Sequence, residues 1–360
     1  MDKERVLKIR DLSISFKTEN GKIEAIRGVR LDLFKGETLA IVGESGSGKS
    51  VTTKAIMGNI SSNGKIESGK IEFSYDKNND NNIVVEDIVK LSKKEINQNI
   101  CGKRIAMVFQ DPMTSLNPTL TIGKQVIEAM RYHYKVNKKD AFEKAVSLLE
   151  EVGIVDARKR MKNYPHQLSG GMRQRVVIAI ALSCEPEVLI CDEPTTALDV
   201  TIQAKILDLI KKIQKQRNIS VIYITHDLGV VATVADYVAV MYAGKIIEKG
   251  SIKDIFYYPK HPYTWGLLSA MPDIDVDDDE LYTIPGTPPN LCEKIEGEAF
   301  APRNQFALNI DYRLESPLMN VGGKHRVASW LYHKNAPDIQ MPKTLQKRLE
   351  KMRQEAGING

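Results

Sequence analysis

Gly43-Glu44-Ser45-Gly46-Ser47-Gly48-Lys49-Ser50 decides how the rest of this chain is read. The segment has the spacing of a phosphate-binding loop, G-x-x-x-x-G-K-[ST]. Its glycines let the backbone wrap closely enough for several N–H groups to face phosphate oxygens. Lys49 would reach the β- and γ-phosphates of a nucleotide, and Ser50 would ligate Mg²⁺. The helix expected from Lys49 through Val51 and beyond presents its positive end to the same anion. Immediately before the loop, Thr38 to Val42 is a short apolar run of the buried-strand type. Val188 to Cys191 and Val221 to Ile224 are two more such runs, each followed by polar residues. Strands of this kind alternating with helices predict an α/β chain with a parallel-sheet core and its ligand at the C-terminal strand ends.

Polar residues stand where each of those strands should stop. Leu189-Ile190-Cys191-Asp192-Glu193 ends in two carboxylates. Asp192 is placed to hold Mg²⁺ through water, and Glu193 to polarise an attacking water, a role worth roughly 10²–10⁴ in rate. Gln110 follows the apolar Ile105 to Phe109 and could touch both the metal and that water. His226 follows Val221 to Thr225 and could hydrogen-bond a γ-phosphate. A separate stretch, Leu168-Ser169-Gly170-Gly171-Met172, opens a helix: serine caps it and two glycines expose backbone N–H groups, which makes an anion site. It reads as half of a second nucleotide site, to be completed by another molecule.

Composition bounds the remainder. The 360 residues carry 51 basic and 46 acidic side chains, a net charge of +5 that an ordinary solvated surface accounts for. No run approaches the roughly 18 apolar residues needed to span a bilayer. Met1 to Arg10 lacks the apolar core of a signal peptide, so a cytoplasmic chain is expected. Cys101, Cys184, Cys191 and Cys292 lack metal spacing and are expected to be reduced and mostly buried.

Residues 5–17 and 22–34 alternate apolar and polar positions around Asn20-Gly21, a hairpin signal, and 66–73 and 83–89 read as further strands around a loop at Asp76 to Asn82. Together these predict an antiparallel β subdomain. Between about 115 and 165 the strand pattern gives way to helices at 123–135 and 138–151, a helical subdomain. From residue 253 prolines cluster and an acidic run follows, which marks an irregular C-terminal extension to about 341. Residues 342–360 are highly charged, either a solvated helix or a frayed tail. Two motifs are decoys. Asn137-Lys138-Lys139-Asp140 spells a guanine-reading motif but follows no buried strand. Asp273, Asp275 and Asp277 mimic a calcium loop that lacks its glycine and its terminal glutamate.

The order of glycine loop, Gln110, LSGGM, Leu189 to Glu193, Ala197-Leu198-Asp199 and His226 resembles the ATP-binding subunits of ABC transporters over about residues 5–250. The resemblance implies a P-loop ABC ATPase that uses ATP and Mg²⁺. In it Ser50, Gln110 and Asp192 attend the metal, Phe16 stacks on adenine, and Asp199 crosses with Leu168 to Met172 into the partner's site. His261 to Leu268, Ile284 to Leu291 and Phe300-Ala301-Pro302-Arg303 narrow the likeness to the oligopeptide and dipeptide permease group. That group implies a subunit on the cytoplasmic face of the membrane that powers oligopeptide import. It would work beside a related second ATPase, two transmembrane permease subunits and an external substrate-binding protein, with no nucleic acid. Dipeptide, nickel or glutathione cargo is the near alternative, and a soluble ABC ATPase of DNA repair or translation the remote one. Many members carry four cysteines in the extension for an iron–sulfur cluster. The matching positions here are Glu298, Asn304, Asp311 and Ser329, so no cluster is expected.

Overall fold

The computed structural model describes residues 4–19, 21–76, 82–196, 198–271 and 284–358. β1 (Arg5–Thr18) and β2 (Gly21–Phe34) form the expected antiparallel pair, with Thr18 opposite Gly21; Asn20 lies outside the described residues. β3 (Thr38–Val42) belongs to a different sheet. β4 (Gly64–Asp76) and β5 (Ile83–Asp87) complete the first sheet in the order β2-β1-β4-β5. The loop expected between them falls largely on 77–81, which lie outside the described residues. β5 stops two residues short of expectation because the Asp87 carboxylate accepts the Val89 N–H and starts a 3₁₀ turn at Ile88–Lys90.

The second sheet joins β6 (Ile105–Val108), β7 (Val188–Asp192), β8 (Ser220–Ile224), β9 (Tyr237–Tyr242), β10 (Lys245–Ser251), β11 (Met319–Gly322) and β12 (His325–Val327) to β3, in the order β11-β12-β10-β9-β3-β8-β7-β6. β6, β7, β8, β3 and β9 run parallel. All five residues of β3 and of β8 are buried, as strands covered on both faces must be. One apolar core lies between the two sheets and includes Ile9, Leu33, Phe73, Ile41 and Ile222. Another lies under the helical region, where the helices Ile122–His133, Lys138–Glu151 and Gly170–Leu182 pack together. The decoy Asn137 caps the second of these helices by accepting the Asp140 N–H at 2.9 Å, so the motif serves a helix start. The three aspartates at 273–277 lie outside the described residues. Cys184 and Cys191 are buried, Cys101 and Cys292 only partly, and all four are free thiols.

The C-terminal part departs from expectation twice. The extension is not merely irregular: β12 pairs with the exposed edge of β10 (Glu248 opposite Val327) and β11 pairs with β12. Three- and four-residue strands are too short to leave a periodic signal. Of the two forms expected for the charged tail, the helix is the one present, but it is not solvated all round. Lys343–Glu355 is a helix whose Leu345 and Leu349, four apart, are buried in a third core beside the helices Ile252–Tyr257 and Pro262–Ser269. Among the described residues no helix is long and apolar enough to cross a membrane.

His261 sits in this third core and caps the helix Pro262–Ser269: its Nδ1 accepts the Tyr263 N–H at 3.0 Å. That role requires a neutral ring. Burial pulls its pKa from 6.5 down to about 3, against an opposing backbone hydrogen bond to Ala328. Between those values the unfolded chain binds a proton that the folded chain refuses, so acid should weaken the fold by up to about 1.4 kcal/mol per pH unit. Urea midpoints at pH 6.5 and pH 5 should show this loss, and His261→Asn, which keeps a capping acceptor, should show less of it.

Candidate active site

Parallel pairing brings four strand ends to one edge of the second sheet. The glycine loop leaves β3, Gln110 follows β6, Asp192 ends β7 with Glu193 just after it, and His226 follows β8. A cleft of about 430 Å³ opens there; Lys49, Ser50, Gln110, Asp192, Glu193 and His226 all line it, with Gly46, Gly48, Val51 and Ser45 along the loop.

The loop conformation explains its glycines. Gly48 has φ 107°, and a Cβ there would stand 2.8 Å from Ile26 Cδ1 and Met241 Cε and 2.9 Å from the Ala25 carbonyl. At Gly43, φ 149°, a Cβ would lie 2.1 Å from the Met241 carbonyl oxygen. Lys49 Nζ donates to the carbonyls of Gly43 (2.8 Å) and Glu44 (2.9 Å), and burial lowers its pKa against the charges of Glu193, Asp192 and Glu44. Ser47 Oγ is buried inside the loop without a hydrogen-bond partner. An orphaned hydroxyl, a buried lysine and turned-in backbone together suit a polyphosphate. Ser50 Oγ stands 3.4 Å from Asp192 Oδ1. A hydroxyl and a carboxylate at that separation are a hard-oxygen pair of the kind Mg²⁺ takes. Burial raises the Asp192 pKa, an effect that a bound cation would oppose.

Glu193 is the most constrained side chain of the group. Its φ is +46°, a left-handed conformation that costs a non-glycine residue roughly 1 kcal/mol. The turn is held by its own N–H donating to the Ile224 carbonyl at 2.9 Å. Its carboxylate accepts from Gln110 Nε2 at 3.0 Å and Thr196 Oγ1 at 3.1 Å, and lies 3.0 Å from His226 Nδ1. Two residues singled out in sequence, Gln110 and His226, therefore converge on the carboxylate of another, Glu193. Thr196 is a third contact that sequence reasoning missed; its only signal was its place three residues after Glu193. Phe16 does not line the cleft: it lies on β1, paired with Ile23 and Gly64 in the antiparallel sheet. Ala197 is outside the described residues.

The second motif lies elsewhere on the molecule. Ser169 Oγ caps the helix Gly170–Leu182 by accepting the Met172 N–H at 3.4 Å, and Leu168 is buried beneath it. Asp199 caps the helix Val200–Arg217 by accepting the Ile202 N–H at 2.9 Å. The two helix starts touch: a Cβ on Gly171 would meet Ile202 Cγ2 at 2.8 Å, and one on Gly170 would meet Leu198 Cδ2 at 3.8 Å. None of Leu168 to Met172, nor Asp199, borders the cleft of the glycine loop.

Residues 26–196 match the family described as ABC transporter, and residues 247–310 the family described as oligopeptide/dipeptide transporter, C-terminal region. The oligopeptide transport ATP-binding protein OppD of Bacillus subtilis (strain 168) is 54% identical, over 97% of this chain and 95% of that protein. The chain belongs to the ABC transporter ATP-binding family. The dipeptide transport ATP-binding protein DppD of Lactococcus lactis is 51% identical over 94% of each chain. Among solved structures, a dimeric ATP-binding cassette in a post-hydrolysis state, bound to ADP and Pi, matches with a TM-score of 0.58 at 27% identity, over 68% of this chain and 98% of that one.

For this ABC ATPase the iron–sulfur question turns on donor chemistry. Glu298 Oε2 accepts the Ser316 N–H, Asn304 Oδ1 that of Phe306, Asp311 Oδ2 that of Leu308, and Ser329 Oγ that of Leu331. Four side chains that each accept a backbone N–H, none of them a thiolate, do not fit an iron–sulfur cluster. Iron and acid-labile sulfide in anaerobically purified protein should stay at background; a stoichiometric signal would overturn this. At the glycine loop, Gly48→Ala should destabilise the fold by roughly 1–2 kcal/mol through its left-handed φ alone. It should also abolish the rise in melting temperature that ATP gives the wild type, as read by thermal denaturation with and without nucleotide.

Proposed function

We propose that this ABC ATPase binds and hydrolyses ATP to power import of oligopeptides across the cell membrane, and that Glu193 is its general base. The observation that carries the catalytic assignment is the Glu193 carboxylate, held by Gln110, Thr196 and His226 at the mouth of a cleft floored by Lys49. A carboxylate fixed by several neighbours is positioned to accept a proton from water without reorganising. Lys49 and the N–H groups of Gly43 to Val51 receive the β- and γ-phosphates, and Phe16 approaches the adenine from the antiparallel sheet. Gln110 and His226 orient the water and the terminal phosphate. Mg²⁺, held by Ser50, Asp192 and Gln110, would neutralise phosphate charge as the bridging bond breaks.

The separation of the two motifs on the surface favours a head-to-tail pair of ATPases. In such a pair Leu168 to Met172 and Asp199 of each subunit complete the nucleotide site of the other. The γ-phosphate is then the ligand that distinguishes closed from open, because it bridges two chains only in the closed state. We take the second ATPase to be a related but different chain, and the assembly to include two transmembrane permease subunits and an external substrate-binding protein. This subunit lies peripherally on the cytoplasmic face. The region around and after Gln110, where Phe109 is 50% and Met113 62% exposed, is the surface offered to the permease. Relatives named for dipeptide transport, at 51% identity, make dipeptides the second cargo reading.

Glu193→Gln keeps the shape and removes the basic oxygen. In the reconstituted transporter it should cut ATP turnover by about 10²–10⁴ while nucleotide still binds, leaving ATP trapped in a closed pair. Unimpaired turnover would overturn the assignment of the base.

A further inference from the structure

We propose that Arg303 and Tyr263, both from the C-terminal part of the chain, are positioning residues for the phosphate loop and act through Glu44. This inference rests on the ATP-binding reading above.

Glu44 occupies a position of the loop where the phosphate-binding motif asks only for backbone. Here nevertheless its backbone and its side chain are both held. Its N–H donates to Tyr263 Oη at 2.9 Å. Its carboxylate takes both prongs of the Arg303 guanidinium, at 2.7 and 3.1 Å. Its carbonyl accepts from Lys49 Nζ at 2.9 Å and from the Ser47 N–H at 3.2 Å. Glu44 thus links the lysine that meets the nucleotide to Arg303, which lies 259 positions after Glu44 in the chain.

The arginine is itself rigidly seated. Its side chain is 6% exposed, and it also donates to the Pro285 carbonyl at 2.8 Å and to Tyr242 Oη at 3.2 Å. Burial works against its charge, but the hydrogen bonds to Glu44 and Tyr242 more than restore it, so its pKa is raised. Tyr242, Tyr263 and Phe300 pack with ring centroids 4.8 to 5.3 Å apart around the same spot. Tyr242 ends β9, the strand beside β3, so the clamp is anchored in the same sheet that carries the loop.

Two physical consequences follow. A two-pronged arginine–carboxylate pair fixes direction as well as distance, so it selects one path for the loop backbone at Glu44. It also offsets a carboxylate on a loop built to receive anions, where an unpaired negative charge would oppose polyphosphate. Removing Arg303 leaves that carboxylate without its partner, a larger penalty than losing the pair as a whole.

The test measures ATP KM and kcat in the assembled transporter, and nucleotide binding by the full-length chain. Arg303→Met keeps length and packing but not charge. It should raise KM and the dissociation constant about tenfold or more, while kcat at saturating ATP falls by less than about threefold. Glu44→Gln added to Arg303→Met should recover at least half of the lost affinity on a logarithmic scale, because the orphaned carboxylate is gone. Tyr263→Phe, which removes only the acceptor of the Glu44 N–H, should raise KM about threefold, and it carries the test if Arg303→Met does not fold. A merely structural role predicts lower melting temperatures with unchanged KM and no rescue by the second substitution; either unchanged KM or failed rescue would overturn the proposal. Failure of the wild type to bind ATP would instead remove the reading on which it rests.

Discussion

Ile224 pairs with Ile41 on one side and with Asp192 on the other, and Cys191 pairs in turn with Val108. This parallel register sets four strand ends at one level, and the cleft exists only because it does. A slip of one residue in any of the four would turn its side chains to the opposite face. The register is enforced by burial: β3 and β8 are enclosed at every position, so neither face can shift without exposing apolar side chains worth roughly 1.5–3 kcal/mol each.

Chemistry at those ends costs local strain. Glu193 adopts a left-handed turn, and Gly43 and Gly48 take conformations and approaches that a side chain would forbid. The Ile224 carbonyl holds Glu193 in its turn, while the Met241 carbonyl and Ala25 stand so close to Gly43 and Gly48 that only glycine fits there. Strain concentrates where phosphate and water are to be handled and is absorbed by the stiff sheet behind it.

The C-terminal part is built into the same sheet rather than hung from it. β12 extends the sheet past β10, and fully buried Glu248 receives His325 Nε2 at 2.8 Å and the Lys260 and His261 N–H groups. On the opposite side, Glu315 pairs with Arg27 of β2 at 2.7 Å and also with Lys245 of β10, joining the antiparallel sheet to the other across the extension. The third core, with Tyr242, Tyr263, Phe300 and Leu349, gives these links a dry and well-packed base.

By itself the sequence determined the strand-loop-helix at Gly43 to Val51, the carboxylate pair at Asp192 and Glu193, the polar residues Gln110 and His226 at strand ends, and the separate serine-capped helix start at Ser169 to Gly171. Each is a local pattern: spacing, apolar run or cap, complete within a few residues. It also set out the antiparallel layer and the helical region, whose periodicity persists over a dozen residues or more. What only the tertiary structure decided depends on chain segments far apart in sequence. The contact of Gln110, Thr196 and His226 with one carboxylate, the addition of β11 and β12 to the sheet, and the docking of Leu345 and Leu349 are of this kind. So is the grip of Arg303 on Glu44. Three-residue strands carry no period, and a polar partner many residues away leaves no trace in local spacing, because hydrogen bonds and burial are satisfied in space and not along the chain.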